Sequence, residues 1–260
     1  MPYMSVVRKD NLELIVKVNR DLHEQNILEY LHSEEQRSDH VIQLEGTCLS
    51  NLGPGILLPI RQPVRELMSN SKGQLGQFRR FAEDLISGLQ FLHSNLVAHR
   101  DIKPDNLVYS PEFGLQIIDF DVAVQLDKDT DMVDDVVGTE GYMAPELEDN
   151  QGLSYSPLKA DLWSCGWVIK EFLGCMREGE LYKKLKQLAS ELTADNPRKR
   201  PPLDSWRWDG SMQEMPARKR ARVEDKRVPN VRCATAQMAS SPVGMYEYTE
   251  INMVGVFAGL

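Results

Sequence analysis

One loop of the sequence reads His99-Arg100-Asp101-Ile102-Lys103-Pro104-Asp105-Asn106. It places carboxylates, an ammonium group and a side-chain amide within one short stretch. Four fixed residues at this spacing would occur by chance in about one chain in a thousand of this length. We therefore interpret the loop as a chemical site rather than as an ordinary exposed turn.

A second segment, Leu115-Gln116-Ile117-Ile118-Asp119-Phe120-Asp121, is an apolar run that ends in a carboxylate. The run is typical of a buried strand, so Asp119 is expected at a strand end. On its own, an aspartate there is more often a solvated turn residue. Its position shortly after Asn106 makes a functional role the better interpretation.

Further segments follow in the order Gly138-Thr139-Glu140-Gly141-Tyr142-Met143-Ala144-Pro145-Glu146, Asp161-Leu162-Trp163-Ser164-Cys165-Gly166 and Asn196-Pro197-Arg198-Lys199-Arg200-Pro201. Together with the two earlier segments they resemble the motifs of the eukaryotic-type protein kinase family, serine/threonine type. The resemblance implies an α+β, two-lobed kinase-like fold with ATP and Mg²⁺ between the lobes. It is similar to compact fungal kinase domains, with a truncated N-terminal lobe.

The resemblance also assigns roles to the residues of the site. Asp101 would receive the proton of the substrate hydroxyl, and Lys103 would neutralise the transferring phosphoryl group and mark serine/threonine specificity. Asn106 and Asp119 would hold Mg²⁺, and Val108 is expected among the cofactor-binding residues. Phosphoryl transfer needs little covalent help, so fixing these groups in position is the main task of the protein.

Three structural contacts are implied by the same resemblance. Thr139 would hydrogen-bond near Asp101 and Lys103, and Asp161 would accept hydrogen bonds from the catalytic-loop backbone. A third contact would join Arg200 to Glu146 and anchor the substrate-binding segment.

The beginning of the chain carries a weaker match. Lys17, in Leu14-Ile15-Val16-Lys17, resembles the family lysine that contacts the α- and β-phosphates, and Glu24 resembles its partner. Taken alone, the two would more often be a solvated pair. With the other motifs present, we expect both to belong to the nucleotide site.

Two departures from the family pattern leave an alternative function open. Residues 1–16 contain no glycine, so the glycine-rich phosphate loop is missing, and Asp121 replaces a glycine. Either the chain starts at the second strand, or nucleotide binding relies on Lys17, the metal and the lower lobe. The main prediction is a serine/threonine protein kinase with activity weakened by the missing loop. The alternative is a pseudokinase that acts as a nucleotide-binding or protein-binding scaffold.

Hydrophobic periodicity predicts the elements of the fold. A hairpin is expected from residues 5–8 and 12–18 around Asp10-Asn11, then a helix over 22–31 capped by Asp21. The pattern also predicts strands at 41–44 and 56–58, a turn at 53–55, and helices at 77–93, 160–174 and 181–193. These elements suggest an N-terminal lobe over 1–62, a helical lobe over 63–206 and an unpacked tail over 207–260.

Composition narrows the environment and the partners. The net charge is −9, from 30 basic and 39 acidic residues, which argues against a nucleic-acid-binding surface. The four cysteines show no metal-binding spacing, and no apolar run is long enough for a membrane span. We expect an intracellular protein, nuclear or cytoplasmic, whose partner is a protein substrate with Ser or Thr. The oligomeric state is not predicted.

Two local features suggest regulation and targeting. Asp135 lies three residues before Gly138, where many relatives carry a phosphorylated threonine, and we hypothesise that it pairs with Arg100. Solvated acids in a mobile loop are an equally good interpretation. The basic cluster Arg218–Arg222 resembles a nuclear-import signal, although such clusters also occur as idle solvated runs.

Overall fold

A computed structural model describes residues 3–9, 12–18, 21–33, 37–50, 52–69, 76–148, 153–206 and 231–232. The described residues fall into two compact units. The first contains those up to Ser33, those from 42 to 60 and the pair 231–232, and the second contains 37–41 and 61–206. The boundaries predicted at residues 62 and 206 remain predictions. The tail predicted from 207 and the import signal at Arg218–Arg222 lie outside the described residues, apart from the pair 231–232.

The first unit is a sheet with one helix. Its elements are β1 (Tyr3–Lys9), β2 (Leu12–Val18), α1 (His23–Leu31), β3 (Gly46–Ser50), β4 (Gly53–Pro59) and, late in the chain, β10 (Val231–Arg232). The strand order is β1-β2-β4-β3-β10, antiparallel except for the parallel β3–β10 pair. The pairing of β1 with β2 confirms the predicted hairpin, whose turn residues Asp10 and Asn11 lie outside the described residues.

Strand alternation builds the core of this unit. Leu14, Val16 and Val18 point to the same face of β2 and pack with Cys48 and Leu57. Removing these apolar side chains from water is the main stabilising contribution.

Two sequence predictions in and just before strands β3 and β4 are wrong. The turn predicted at 53–55 is the first part of β4, where Gly53 pairs with Ser50 and Gly55 pairs with Cys48. The hairpin turn lies earlier, between Ser50 and Gly53. The Ser50 hydroxyl donates to the carbonyl of Gly53 (3.0 Å) across this turn. The strand predicted at 41–44 is a single parallel bridge between Val41 and Ile117. Its apolar residues reflect burial, since Val41 is 1% exposed, rather than strand pairing.

Helix α1 agrees with the prediction. Its buried apolar residues, Ile27, Leu28 and Leu31, recur at helical spacing. The predicted cap Asp21 accepts a hydrogen bond from the backbone N–H of His23 (3.1 Å), although Leu22 occupies the cap position itself. The helix therefore begins close to the end of β2.

The second unit is mainly helical. Its elements are β5 (Gln62–Pro63), α2 (Val64–Ser69), α3 (Gln77–Ser94), β6 (Val97–Ala98), β7 (Leu107–Ser110), β8 (Gly114–Ile117), β9 (Val124–Gln125), α4 (Pro145–Glu148), α5 (Pro157–Gly174) and α6 (Glu180–Leu192). Short 3-10 turns lie at Pro104–Asn106, Pro197–Lys199 and Leu203–Ser205. The three long helices confirm the predicted ones, and the mixture of strands and helices confirms the α+β class.

Aromatic rings join α3 to α5 in the core of the second unit. The Phe172 ring lies 5.9 Å from Phe78 and 6.0 Å from Phe81, centre to centre, and Phe81 contacts Tyr109 of β7. All three phenylalanines are fully buried. Such contacts add to the burial of apolar area and fix α3 and α5 relative to β7, the strand that follows the loop at 99–106.

Helix α6 approaches α5 closely at Gly166. A Cβ on Gly166 would lie 2.7 Å from the Thr193 side chain and 3.1 Å from the Ala189 carbonyl. A larger residue would push the two helices apart, so the glycine in Ser164-Cys165-Gly166 is explained by packing.

Small sheets frame the loop segments between the helices. One has the order β5-β7-β8, and another joins β6 to β9. Strands β6 and β7 hold the two ends of 99–106, so the loop containing Asp101 is fixed at both ends. Among the described residues, none of the helices combines the length and apolarity needed to cross a membrane.

Candidate active site

The structure gathers three side chains around the carboxylate of Asp101. Its Oδ1 accepts a hydrogen bond from the Thr139 hydroxyl (2.7 Å), and its Oδ2 lies 2.9 Å from both the Asn106 amide nitrogen and Lys103 Nζ. Lys103 also donates to the Thr139 hydroxyl (2.6 Å). Both oxygens of Asp101 are therefore oriented, and the carboxylate remains 14% exposed.

Asn106 is held by the turn that closes the loop. Pro104–Asn106 forms a 3-10 turn with Pro104 at its start, and the backbone N–H of Asn106 binds the carbonyl of Lys103 (3.0 Å). The side-chain amide nitrogen donates to Asp101 twice, to the carboxylate and to the backbone carbonyl. Because the nitrogen faces Asp101, the amide oxygen is directed to the other side and can serve as a metal ligand.

Asp119 is brought beside Asn106 by the β7–β8 hairpin. The strands pair Leu107 with Ile117, and the next N–H, that of Ile118, donates to the Asn106 carbonyl (3.0 Å). Asp119 follows directly. A carboxylate and an amide oxygen at one end of a hairpin are the donor set that Mg²⁺ prefers, so these residues fit the metal that the sequence predicted.

His99 ties this segment to the catalytic loop. Its imidazole is fully buried, makes a hydrogen-bond contact with the Ile118 carbonyl (2.9 Å) and packs edge-on against Phe120. The segment that carries Asp119 is thus fastened to the loop that carries Asp101.

Asp161, in α5, fixes the backbone of the loop at 99–106 by accepting hydrogen bonds from it. Its carboxylate is completely buried and accepts hydrogen bonds from the backbone N–H groups of His99 (2.8 Å) and Arg100 (2.7 Å). The His93 ring also contacts it (3.1 Å). A buried carboxylate requires such donors, and here they confirm the contact expected from sequence.

Two residues of the site adopt backbone angles that are uncommon for residues with side chains. Arg100 has φ 67° and Asp119 has φ 68°. This region costs of the order of 1–3 kcal/mol for such residues, which the surrounding contacts must offset. Asp121 is not among the described non-glycine residues with positive φ, so the side chain that replaces the family glycine is accommodated without this strain.

The segment 138–146 begins next to the catalytic loop. Gly138 has φ 128°, and a Cβ there would lie 3.1 Å from the Arg100 carbonyl, so a glycine is required. Thr139, the next residue, can then reach Asp101. Farther along, the Ser164 hydroxyl donates to the Tyr142 carbonyl (2.8 Å) and fixes the segment to α5.

The far end of this segment is anchored by Arg200. Its guanidinium donates to both carboxylate oxygens of Glu146 (2.6 and 2.7 Å), and further bonds go to the carbonyls of Lys159 and Ala194. The Arg200 side chain is fully buried and lies over the Trp163 ring. Losing one partner of such a pair costs about 3–5 kcal/mol. The contact predicted from the sequence is present.

Arg100 and Asp135 form the ion pair that the sequence suggested. Arg100 Nη1 lies 2.6 Å from Asp135 Oδ1, and its Nε donates to the Val122 carbonyl (2.6 Å). The Tyr155 hydroxyl donates to the Asp135 carbonyl (3.1 Å), and Val133 pairs with Tyr155. Burial raises the pKa of the Tyr155 hydroxyl, which keeps that donor protonated.

Lys17 and Glu24 meet within the first unit. Lys17 Nζ lies 2.8 Å from Glu24 Oε2, and the two side chains are 6% and 1% exposed. The solvated pair considered from sequence is therefore wrong, because both charges are buried and compensated. Val108, the other predicted cofactor residue, lies in β7 and is 7% exposed. The contacts of these three residues with a nucleotide remain a prediction.

Sequence analysis missed one charged cluster beside the catalytic loop. The guanidinium of Arg65, in α2, donates to Asp105 (2.6 Å), to Glu171 of α5 (3.4 Å) and to the Tyr142 hydroxyl (3.1 Å). Tyr142 in turn donates to Glu171. Asp105 and Tyr142 lie within quoted segments but were given no role, and Arg65 and Glu171 lie outside all of the quoted segments.

The cluster perturbs the ionisation of its members. The hydrogen bond from Arg65 holds the pKa of Asp105 below its ordinary value, and the same bond raises the pKa of the arginine. Burial, together with the hydrogen bond to Glu171, raises the pKa of Tyr142 to about 12. At neutral pH, Asp105 is therefore ionised and Tyr142 is protonated.

The comparisons with known proteins agree with this geometry. The family described as "Protein kinase domain" matches residues 8–176. The match includes the segments that hold Lys17, Asp101, Asp119 and Glu146. The chain belongs to the protein kinase family.

Its similar curated relatives are serine/threonine kinases. Serine/threonine-protein kinase 36 of Pongo abelii is 30% identical over 62% of this chain, and a probable serine/threonine-protein kinase, CCRP1, of Zea mays is 32% identical over 64%. Serine/threonine-protein kinase STE20 of Candida glabrata is 32% identical over 68%. The aligned regions span only 11%, 24% and 18% of those relatives' own lengths.

Proposed function

We propose that this chain is a protein kinase that transfers the γ-phosphoryl group of ATP to a Ser or Thr hydroxyl of a protein. The single observation that carries the proposal is the Asp101 carboxylate, held by Asn106, Lys103 and Thr139 in one fixed loop. A carboxylate so placed can orient a hydroxyl and accept its proton as the new bond forms. The names of the relatives support Ser and Thr as the acceptors.

The other residues of the site supply charge and alignment. Lys103 places a positive charge within 2.9 Å of Asp101, where it can offset negative charge that develops during transfer. Asn106 and Asp119 would hold Mg²⁺, and Lys17, paired with Glu24, would align the phosphates. When bound, magnesium-ATP supplies the phosphoryl group itself and the shielding of its charge.

A transfer assay tests the proposal. The protein is incubated with ATP labelled at the γ-phosphate and a generic protein substrate, and labelling is compared with that of Asp101→Asn. We expect labelling by the unmodified protein and a decrease of at least about a hundredfold in the variant, since the proton acceptor is lost.

The same assay decides between the two functions that the sequence left open. Equal, background-level labelling by both proteins would contradict the kinase proposal and favour the pseudokinase scaffold. Thermal unfolding of both proteins, measured in parallel, shows whether Asp101→Asn has kept its fold.

A further inference from the structure

The cluster of Arg65, Asp105, Glu171 and Tyr142 has no part in the proposed transfer, yet it lies beside the residues that perform it. Asp105 belongs to the same 3-10 turn as Asn106. The backbone N–H of Tyr142 binds the carbonyl of Thr139 (3.0 Å), whose hydroxyl binds Asp101. Two members of the cluster are therefore close to residues that bind Asp101. Asp105 is next to Asn106 in the chain, and Tyr142 is one turn from Thr139.

The cluster is accessible to solvent. The side chain of Arg65 is 41% exposed, that of Asp105 is 45% exposed and that of Glu171 is 32% exposed. The two carboxylates would present two negative charges beside the catalytic loop if the guanidinium were absent. With Arg65 in place, one positive charge is shared between them and the Tyr142 hydroxyl.

We propose that Arg65 is a specificity-determining residue, which neutralises Asp105 and Glu171 and so keeps the site from selecting peptides with a basic residue near the phosphorylated hydroxyl. The inference rests on the proposed function, since it concerns the peptide that the enzyme accepts. Arg65 is suited to this role because its planar guanidinium reaches both carboxylates at once. A guanidinium on a peptide would need the same oxygens, which are already occupied.

The proposal predicts a gain of selectivity when the charge is removed. A serine peptide with a single arginine, moved through the positions that flank the serine, is compared with the alanine-matched peptide. For the unmodified protein we expect similar kcat/KM values for the two peptides. For Arg65→Met, which keeps an apolar stem, we expect the best arginine peptide to be favoured by about three- to tenfold.

Three variants separate charge from packing. Arg65→Lys keeps the positive charge and should retain the selectivity of the unmodified protein. Arg65→Met with Glu171→Gln should lose most of the gain, because one of the two exposed charges is gone. Arg79→Met removes an arginine of α3 that pairs with Glu83 one turn along the same helix (3.0 Å) and should leave the selectivity unchanged. The gain in Arg65→Met should also shrink as salt is added.

Peptide binding is measured alongside turnover, by fluorescence anisotropy of the same labelled peptides. If the unmodified protein transfers no phosphate to any peptide, the proposed function fails, whereas the ratio of binding affinities still decides the role of Arg65. An unchanged ratio in Arg65→Met would overturn the inference. So would a preference for arginine peptides already present in the unmodified protein, or an equal gain in Arg65→Lys.

Discussion

Thr139 shows how a single hydroxyl can set the geometry of the site. Its Oγ1 donates to Asp101 and accepts from Lys103, so it lies between the proposed proton acceptor and the proposed phosphate-facing cation. Neither contact is long, at 2.7 and 2.6 Å. Without the hydroxyl, the carboxylate and the ammonium group would keep their direct contact but lose the shared anchor that fixes both rotamers.

We expect Thr139→Val, which removes only the hydroxyl, to lower kcat by about ten- to a hundredfold, because small misplacement of a catalytic group is costly. The KM for ATP should change little, since Thr139 is not among the proposed nucleotide contacts. Thr139→Ser restores the hydroxyl and should recover most of the activity. Steady-state kinetics of the three proteins provide the test, and a Val variant with normal kcat would exclude this role.

At the scale of elements, the segment between β9 and α4 is held in place by charge. Arg100 pairs with Asp135, while Val133 and Tyr155 form a backbone bridge two residues away. Asp135 is 55% exposed, so the pair contributes little to global stability, about 0–1 kcal/mol. Its effect should appear instead in the order of the segment, and hence in turnover.

Asp135→Ala should therefore reduce turnover several-fold with a change in melting temperature of only a few degrees. Asp134→Ala is the matched control, because Asp134 is exposed and adjacent to Asp135, whereas the carboxylate that pairs with Arg100 is that of Asp135. Added salt should lower the turnover of the unmodified protein toward that of Asp135→Ala, because it screens the Arg100–Asp135 pair. Unchanged turnover in Asp135→Ala would reject the idea that this pair orders the segment without phosphorylation.

The secondary-structure elements also show how much of the fold could be predicted from the sequence. The long helices were predictable because their buried residues recur with the helical period, as in Phe78, Phe81 and Leu85 of α3. The contacts of Asp101, Asp161 and Arg200 could be inferred from motif resemblance. By contrast, residues 53–55 were mistaken for a turn because glycine and proline usually mark one, whereas pairing with β3 decided the outcome.

The cluster of Arg65 was beyond prediction for a different physical reason. Its members are separated by 40 residues between Arg65 and Asp105 and by 106 between Arg65 and Glu171. No periodicity or local spacing relates them, since only the packed helices and the folded loop bring them together. Single charged residues on helices are usually solvated, so sequence alone gave no reason to select them.

For the whole molecule, the cluster of Arg65, Asp105, Glu171 and Tyr142 makes the free energy of unfolding depend on pH. Folding raises the pKa of Tyr142 from 10.0 to about 12. The resulting stabilisation is fully present below the pKa of the unfolded tyrosine and is lost as the pH rises through the folded-state value. Folding lowers the pKa of Asp105, so its contribution is present above the unfolded value and is lost as the pH falls through the lower, folded-state pKa.

We therefore expect the free energy of unfolding to decrease above about pH 10 by an amount that depends partly on Tyr142. Tyr142→Phe cannot ionise, so this part of the alkaline decrease should disappear, with a difference of the order of 1 kcal/mol once partial exposure is allowed for. Tyr182→Phe, in α6 and outside the cluster, is the matched control. Denaturant unfolding of the three proteins from neutral pH to about pH 11 measures the difference. Parallel alkaline curves for the unmodified protein and Tyr142→Phe would contradict the assignment, because they would show that the Tyr142 hydroxyl ionises equally in the folded and unfolded states.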